Sequence, residues 1–302
     1  MKRVYYPSLI TKIINNQFPN FAIESVSFFG AGYDSEAYLI NNEYVFKFPK
    51  YQAASMGLYQ EAAVLQQLKD KLPLPIPDPE FIGKPNHHFD KYFMGYRKLP
   101  GTVLTPQLFN SLSADIRDNI AKDVASFLKS LHQIQLPAPV DGLEQDIKAD
   151  YFADYEMLEE VLFPDLNATE KKRVERVFQK ILSHEILFCY EPRLAHHDLS
   201  ADHLLFDETT NRICGVIDFG DVAITDADYD FLYFLEESDE ELGRAFGLKV
   251  MDYYQHPDQE QVIKKADFRQ FYWPFEQVMM GYNYGLDDWY REGLEKIRNL
   301  LF

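Results

Sequence analysis

The stretch LAHHDLSADHLLFDETTNRICGVIDFGD, Leu194 to Asp221, decides how the rest of the chain is read. It puts Asp198 on a polar loop, His203 five residues later, and Asp218 at the head of the triplet Asp218-Phe219-Gly220. Two apolar runs, 203–206 and 213–217, read as the strands of a hairpin around a turn over 207–212. Such a hairpin carries the three polar side chains to one mouth, the arrangement of a metal-and-base site. His196 is expected to be packed and hydrogen-bonded beneath the loop, and His197 to be an exposed loop residue.

Phosphoryl transfer from a nucleoside triphosphate asks for this spacing. One carboxylate, Asp198, orients an attacking hydroxyl and accepts its proton; a second, Asp218, holds magnesium against the phosphates; and a ligand five residues after the first, His203, completes the metal shell. H-x-D-x(4)-N followed by D-F-G is the protein-kinase signature, and here it reads His196, Asp198, His203, Asp218. Histidine stands where asparagine is usual, and imidazole binds magnesium less naturally than oxygen does.

The 302 residues suffice for one large domain or two lobes, and 46% hydrophobic content is that of an ordinary globular protein. With 30 basic against 48 acidic residues the net charge is −18, which disfavours a nucleic-acid backbone as partner and favours cations. The start, MKRVYYPSLITKIINNQFP, has Lys2 and Arg3 but no sustained apolar core. No later window approaches the roughly 18 apolar residues of a membrane span. A soluble, unexported monomer with no membrane partner is expected. Cys189 and Cys214, the second in an expected buried strand, make no disulfide framework, suit a reducing cytoplasm and read as inert core thiols.

Residues 4–18 carry apolar side chains at helical spacing, and 21–29 and 37–40 read as strands joined by Gly30-Ala31-Gly32-Tyr33-Asp34-Ser35. Gly30, Gly32 and Ser35 let backbone N–H groups approach phosphates, although Ser35 replaces the third glycine of G-x-G-x-x-G and such turns also occur in plain hairpins. Residues 44–48 alternate as a third strand, in which Lys47 sits among aromatics. A lysine buried there needs a partner charge, and Glu61 in the helical run 58–68 supplies it. The competing reading is a lysine facing solvent.

KLPLPIPDPE, 71–80, has prolines at alternate positions and must be an extended strap. Strands over 81–83 and 92–96 follow around a turn holding His87 and His88, whose side chains diverge if extended and so make a poor metal pair. Residues 97–101 look like a hinge whose backbone could bond a purine edge, which nominates Arg97 and Leu99. Tyr96, just before it, either guards the depth of the purine slot or simply packs in the core. A helix over 115–134 buries one stripe, and 167–188 begins with a capping box of Asn167 and Glu170. Beyond 226 the chain reads as largely helical.

In order, Lys47, Glu61, the proline strap, the hinge, His196-x-Asp198, His203 and Asp218 resemble the aminoglycoside phosphotransferase branch of the kinase-like fold. LPLPIP, the H-x-D-x-S-x-D-H run, IDFGD and the terminal YG-x-x-DWY-x-x-GL look most like the aminoglycoside 2''-phosphotransferases, which confer antibiotic resistance. The resemblance implies an α+β, two-lobed protein-kinase-like fold. A β-rich nucleotide-binding lobe would span 1–99, with a hinge at about 97–101, and a mainly helical lobe 100–302. It implies transfer of a γ-phosphate to the 2''-hydroxyl of gentamicin- or kanamycin-like drugs. Asp198 would be the base, His203 and Asp218 would hold Mg2+, and Lys47 with Glu61 would bind phosphate. Tyr96 at the gate leans the donor towards GTP, with ATP as the alternative.

A small-molecule acceptor fits better than a protein. The residue after His196 is His197 rather than arginine, and no A-P-E segment follows Asp218. Instead come Asp221 and an acidic run; if 231–242 is helical, Glu236/Glu240 and Glu237/Glu241 are like-charge i,i+4 pairs that a polycation would relieve. A solvated acidic helix is the plainer alternative. Ser200, Asp221, Glu236, Glu240, Glu241 and Trp289 are the substrate-binding candidates. Two rival classes stay open: a kinase-like enzyme for another small alcohol such as choline, a sugar or a macrolide, and a non-catalytic nucleotide-binding protein.

Overall fold

The computed structural model describes residues 4–236 and 238–301. Helix α1 (Pro7–Gln17) opens on a proline, whose missing N–H would have no intrahelical partner there anyway. It starts after the expected residue 4, because the Val4 and Tyr5 N–H groups donate to Glu36 instead. Strands β1 (Val26–Ala31), β2 (Ser35–Ile40) and β3 (Tyr44–Pro49), helix α2 (Gln52–Leu68), and strands β4 (Pro79–Gly83) and β5 (Phe93–Arg97) follow. The five strands form one antiparallel sheet in the order β1-β2-β3-β5-β4. Residues 21–25 are not strand as expected: Asn41 Oδ1 captures the Glu24 and Ser25 N–H groups, and Phe21 lies against Tyr44, Phe46 and Phe81. Ser35 is the first residue of β2 rather than part of the loop.

The strap is not extended throughout as expected: the chain turns at Asp70, at φ +59°, and bends over 72–74 before running on to β4, and the Val216 N–H donates to the Pro75 carbonyl at 2.9 Å. Past β5 come β6 (Thr102–Val103), α3 (Pro106–Ser111) and α4 (Ala114–Leu131), then α5 (Ile147–Val161), α6 (Ala168–Leu182) and α7 (Glu185–Phe188). Ser113 caps α4, which stops before residue 134, and the Asn167–Glu170 capping box is formed on α6. The expected single helix 167–188 is two, with Ser183 capping the first.

Strand β7 (Pro192–Ala195) leads to the signature hairpin, β8 (Leu204–Asp207) and β9 (Arg212–Val216), and β10 (Ala223–Asp226) pairs back on β7. Helices α8 (Tyr229–Leu235), α9 (Arg244–Tyr254), α10 (Gln259–Tyr284) and α11 (Asp287–Leu301) complete the chain. Gly285, at φ +64°, ends α10 in the left-handed conformation. At Gly281 a Cβ would stand 2.5 Å from the Tyr290 nitrogen, so glycine is what lets α11 fold back tightly on α10. This is a kinase-like fold, a small antiparallel sheet lobe joined to a helical portion. Among the described residues no helix is long and apolar enough to cross a membrane.

Three further expectations are corrected. Cys189 is exposed, not a core thiol, and Cys214 is only half-buried. The helix expected over 231–242 ends at Leu235, and Glu236 turns extended (ψ 138°), so no stack of i,i+4 carboxylates forms; Glu237 lies outside the described residues. The His87 and His88 rings lie 3.8 Å apart rather than diverging. Among the described residues no His, Cys, Asp and Glu side chains group to hold a metal by themselves.

Candidate active site

Three elements meet at the Lys47 ammonium. Strand alternation turns Lys47 on β3 inward, where both Glu61 oxygens on α2 accept from it at 2.8 and 2.9 Å, and Asp218 Oδ1 accepts at 2.9 Å. Burial alone would push the lysine down; Asp218 and Glu61 outweigh it and raise it well above its ordinary range. In return Lys47 holds the Asp218 carboxyl well below the usual carboxylate range. Asp218 sits at φ +62° and His197, next to the base, at φ +69°. Side chains other than glycine rarely adopt that backbone, and where they do it tends to be at functional sites.

Asp198 is fixed from beneath. Its carbonyl accepts from His203 Nδ1 at 2.6 Å, and Ser200 Oγ lies 3.2 Å from the same nitrogen. That leaves His203 Nε2 towards Asp218, 3.8 Å from Oδ2. Burial would lower the His203 imidazole, but Asp198, Asp218 and Asp202 hold it up. The Asp218 carboxylate and His203 Nε2 could supply two of the six positions of a metal octahedron. Magnesium suits that, since it commonly takes one or two protein ligands and completes its octahedron with phosphate oxygens and water.

Behind the loop, fully buried Asp230 on α8 accepts the His196 N–H at 2.9 Å, the His197 N–H at 2.6 Å and His132 Nε2 at 2.9 Å. Burial would raise its carboxyl, yet His132 and these bonds hold it low. His196 is buried as expected, its Nε2 3.1 Å from the Ile217 carbonyl and its ring packed on Phe219. His197, expected to be exposed, is not: its ring lies on Tyr229, 4.8 Å between centroids, and its Nε2 is shut off from solvent. Asp230 went unnoticed in the sequence because nothing separates it there from Asp226 and Asp228.

The remaining candidates divide. Tyr96 is buried on β5; burial raises its hydroxyl, which also feels Lys47, Glu61 and Asp218. Leu99 packs towards Gly215 on β9. Gly30 and Gly32 have open space where a Cβ would be, and the Gly32 N–H donates to the Ser35 carbonyl. The Arg97 side chain points elsewhere, pairing with Glu43 and lying over the Tyr44 ring. Asp221 keeps an exposed surface, yet the protein packed around its carboxyl desolvates it and pushes it up to about 7, with Asp198, Asp218 and Asp34 adding to the push. Glu241 accepts the Ala201 N–H at 3.3 Å and is pushed up to about 8, chiefly by burial. Glu236 is paired with Arg269 on α10. Glu240 is exposed, and Trp289 rests between Tyr33 and Trp273.

Residues 25–263 match the model of the phosphotransferase enzyme family. A gentamicin complex of APH(2'')-IIa is similar over 98% of this chain and 97% of that one, at 29% identity and TM-score 0.88. A GDP and kanamycin complex of the aminoglycoside phosphotransferase APH(2'')-IIIa matches over 96% and 97%, at 31% identity and TM-score 0.82. A streptomycin-ATP ternary complex of APH(2'')-IIa matches over 98% and 97%, at 29% identity and TM-score 0.84.

Proposed function

The chain belongs to the phosphotransferase enzyme family, and from that premise we propose that it moves the γ-phosphate of GTP or ATP to the 2''-hydroxyl of an aminoglycoside. The observation that carries this reading is Lys47 held between Glu61 and Asp218 while Asp198 stands beside His203, its side chain hydrogen-bonded by Tyr233, a phosphate-binding and a proton-accepting half in one cleft. Lys47 draws the phosphates in, and the turn over 32–34 between β1 and β2 lies over them. Asp198 orients the acceptor hydroxyl and takes its proton as the new oxygen–phosphorus bond forms and the bond to the β-phosphate oxygen breaks. His203 and Asp218 would hold Mg2+, which when bound neutralises charge on the phosphate oxygens.

The acceptor side supports a polycation. Asp221 and Glu241 are pushed up to about 7 and 8, and ammonium groups brought near them would favour their ionised forms. Relatives of similar fold bind gentamicin, kanamycin and streptomycin in their complexes. Tyr96 at the depth of the purine slot favours GTP as donor. The test is release of GDP or ADP over a panel of aminoglycosides with each purine triphosphate. Turnover on kanamycin-like drugs is expected; turnover only on choline, sugars or macrolides would replace the acceptor assignment.

A further inference from the structure

The loop that covers the phosphates carries two residues that phosphate binding does not need. Backbone N–H groups and glycines suffice for phosphate, and an aspartate at the tip would repel it. In the structure that tip crosses to the helical lobe. The Tyr33 ring lies 4.8 Å from Tyr284 at the end of α10 and 6.0 Å from Trp289 on α11. Asp34 Oδ1 accepts from the Tyr284 hydroxyl at 3.0 Å and also from the Tyr51 hydroxyl. The tip's backbone is pinned by the Lys50 N–H donating to the Asp34 carbonyl at 2.7 Å.

Through Trp289, itself an acceptor-binding candidate, the Tyr33 ring adjoins the acceptor side. Asp34 is among the charges that raise Asp221, and Glu240 adds to the burial that raises the Tyr33 hydroxyl. The tight α10–α11 turn, set by Gly281 and Gly285, presents Tyr284 and Trp289 to the loop from the other side. Lys47, the cation of the cleft, is already shared by Glu61 and Asp218.

We propose that Tyr33 and Asp34 are acceptor-binding residues, the small-lobe wall of the acceptor site, and that their contact with Tyr284 lets the phosphate loop select amine-rich acceptors. This rests on the phosphotransferase reading above and adds a second lobe to acceptor recognition. The aromatic faces cover the acceptor's apolar ring surface, and Asp34 meets an ammonium group while keeping its tyrosine bonds.

Steady-state kinetics on Tyr33→Leu, Tyr284→Leu and the double variant decide it, each variant first shown to melt as wild type does. Each single change is expected to raise the acceptor KM about tenfold and leave the nucleotide KM within about twofold, and the double to be less than additive. Asp34→Asn is expected to raise the kanamycin KM about fivefold and flatten its salt dependence. An unchanged acceptor KM, an equal rise in nucleotide KM, or full additivity overturns the proposal. If wild type turns over only a different alcohol, the aminoglycoside reading fails, and the same KM split on that alcohol still judges the wall. If it turns over no acceptor, both fall.

Discussion

Lys47, Glu61 and Asp218 on one side of the cleft, and Asp198, Asp221 and Glu241 on the other, both gather carboxyls and differ in whether a lysine ammonium stands among them. On the first side both carboxyls meet Lys47 within 3 Å; Asp218 is held well below the usual range, while burial pushes Glu61 up against the pull of Lys47. On the second, burial pushes two carboxyls up, Asp221 with help from Asp198 and Asp218, and Glu241, which accepts the Ala201 N–H, with help from Glu236 and Asp202. A buried charge must be paired, must shift, or must wait for a ligand. In the proposed reading the lysine side takes the triphosphate and its metal, and the carboxyl side takes the polycation.

The largest expected effect would break the paired side. Asp218→Ala should abolish magnesium-dependent nucleotide binding in calorimetry, and with it turnover, while His203→Asn, which restores the commoner ligand, should keep activity. An inactive, unfolded His203→Asn would make that histidine a core residue and not a ligand.

Next comes the border between the two. Asp198→Asn should lower turnover by about 10²–10⁴-fold, the usual contribution of a general base, with nucleotide affinity near wild type. Near-normal turnover in the folded variant would remove Asp198 from the chemistry.

A smaller effect sharpens the nucleotide half. Tyr96→Ala should shrink the preference for GTP over ATP in kcat/KM by about tenfold, or 1.4 kcal/mol. A wild-type preference for ATP, or a ratio that does not move, removes the gate.

The smallest is a stability effect on the crowded side. Glu241 is raised in the folded protein to about 8 from an ordinary 4.5. It therefore favours folding fully below pH 4.5, and that contribution is lost as the pH climbs through 8. Glu241→Gln keeps the neutral form, so it should melt with wild type at pH 4 and about 3 °C above it at pH 9. Equal melting at both would mean the carboxyl is not held up.

Much of this was legible in sequence because local pattern and chemistry agree there. The hairpin follows from apolar runs around Asp207–Arg212, Lys47 from its aromatic strand, and the α6 cap from Asn167 and Glu170. What stayed hidden depends on long-range closure. Asp230 reaches the catalytic loop across 33 and 34 residues and Asp34 reaches Tyr284 across 250, and neither distance leaves a periodic trace. The acidic run reads as a helix because carboxylates carry no stop signal, yet α8 ends at Leu235 and Glu236, extended, pairs with Arg269. His197 looked solvent-exposed because a polar loop suggests solvent, and the left-handed turn folds its ring onto Tyr229 instead.

Phosphorus–proton correlation NMR on the product formed from kanamycin, triphosphate and magnesium tests the central claim most directly. A single phosphate coupled to the 2''-proton, formed by wild type and absent with Asp198→Asn, is the predicted result. Nucleotide bound with no phosphate on kanamycin, or phosphate on a different ring's hydroxyl, would contradict it.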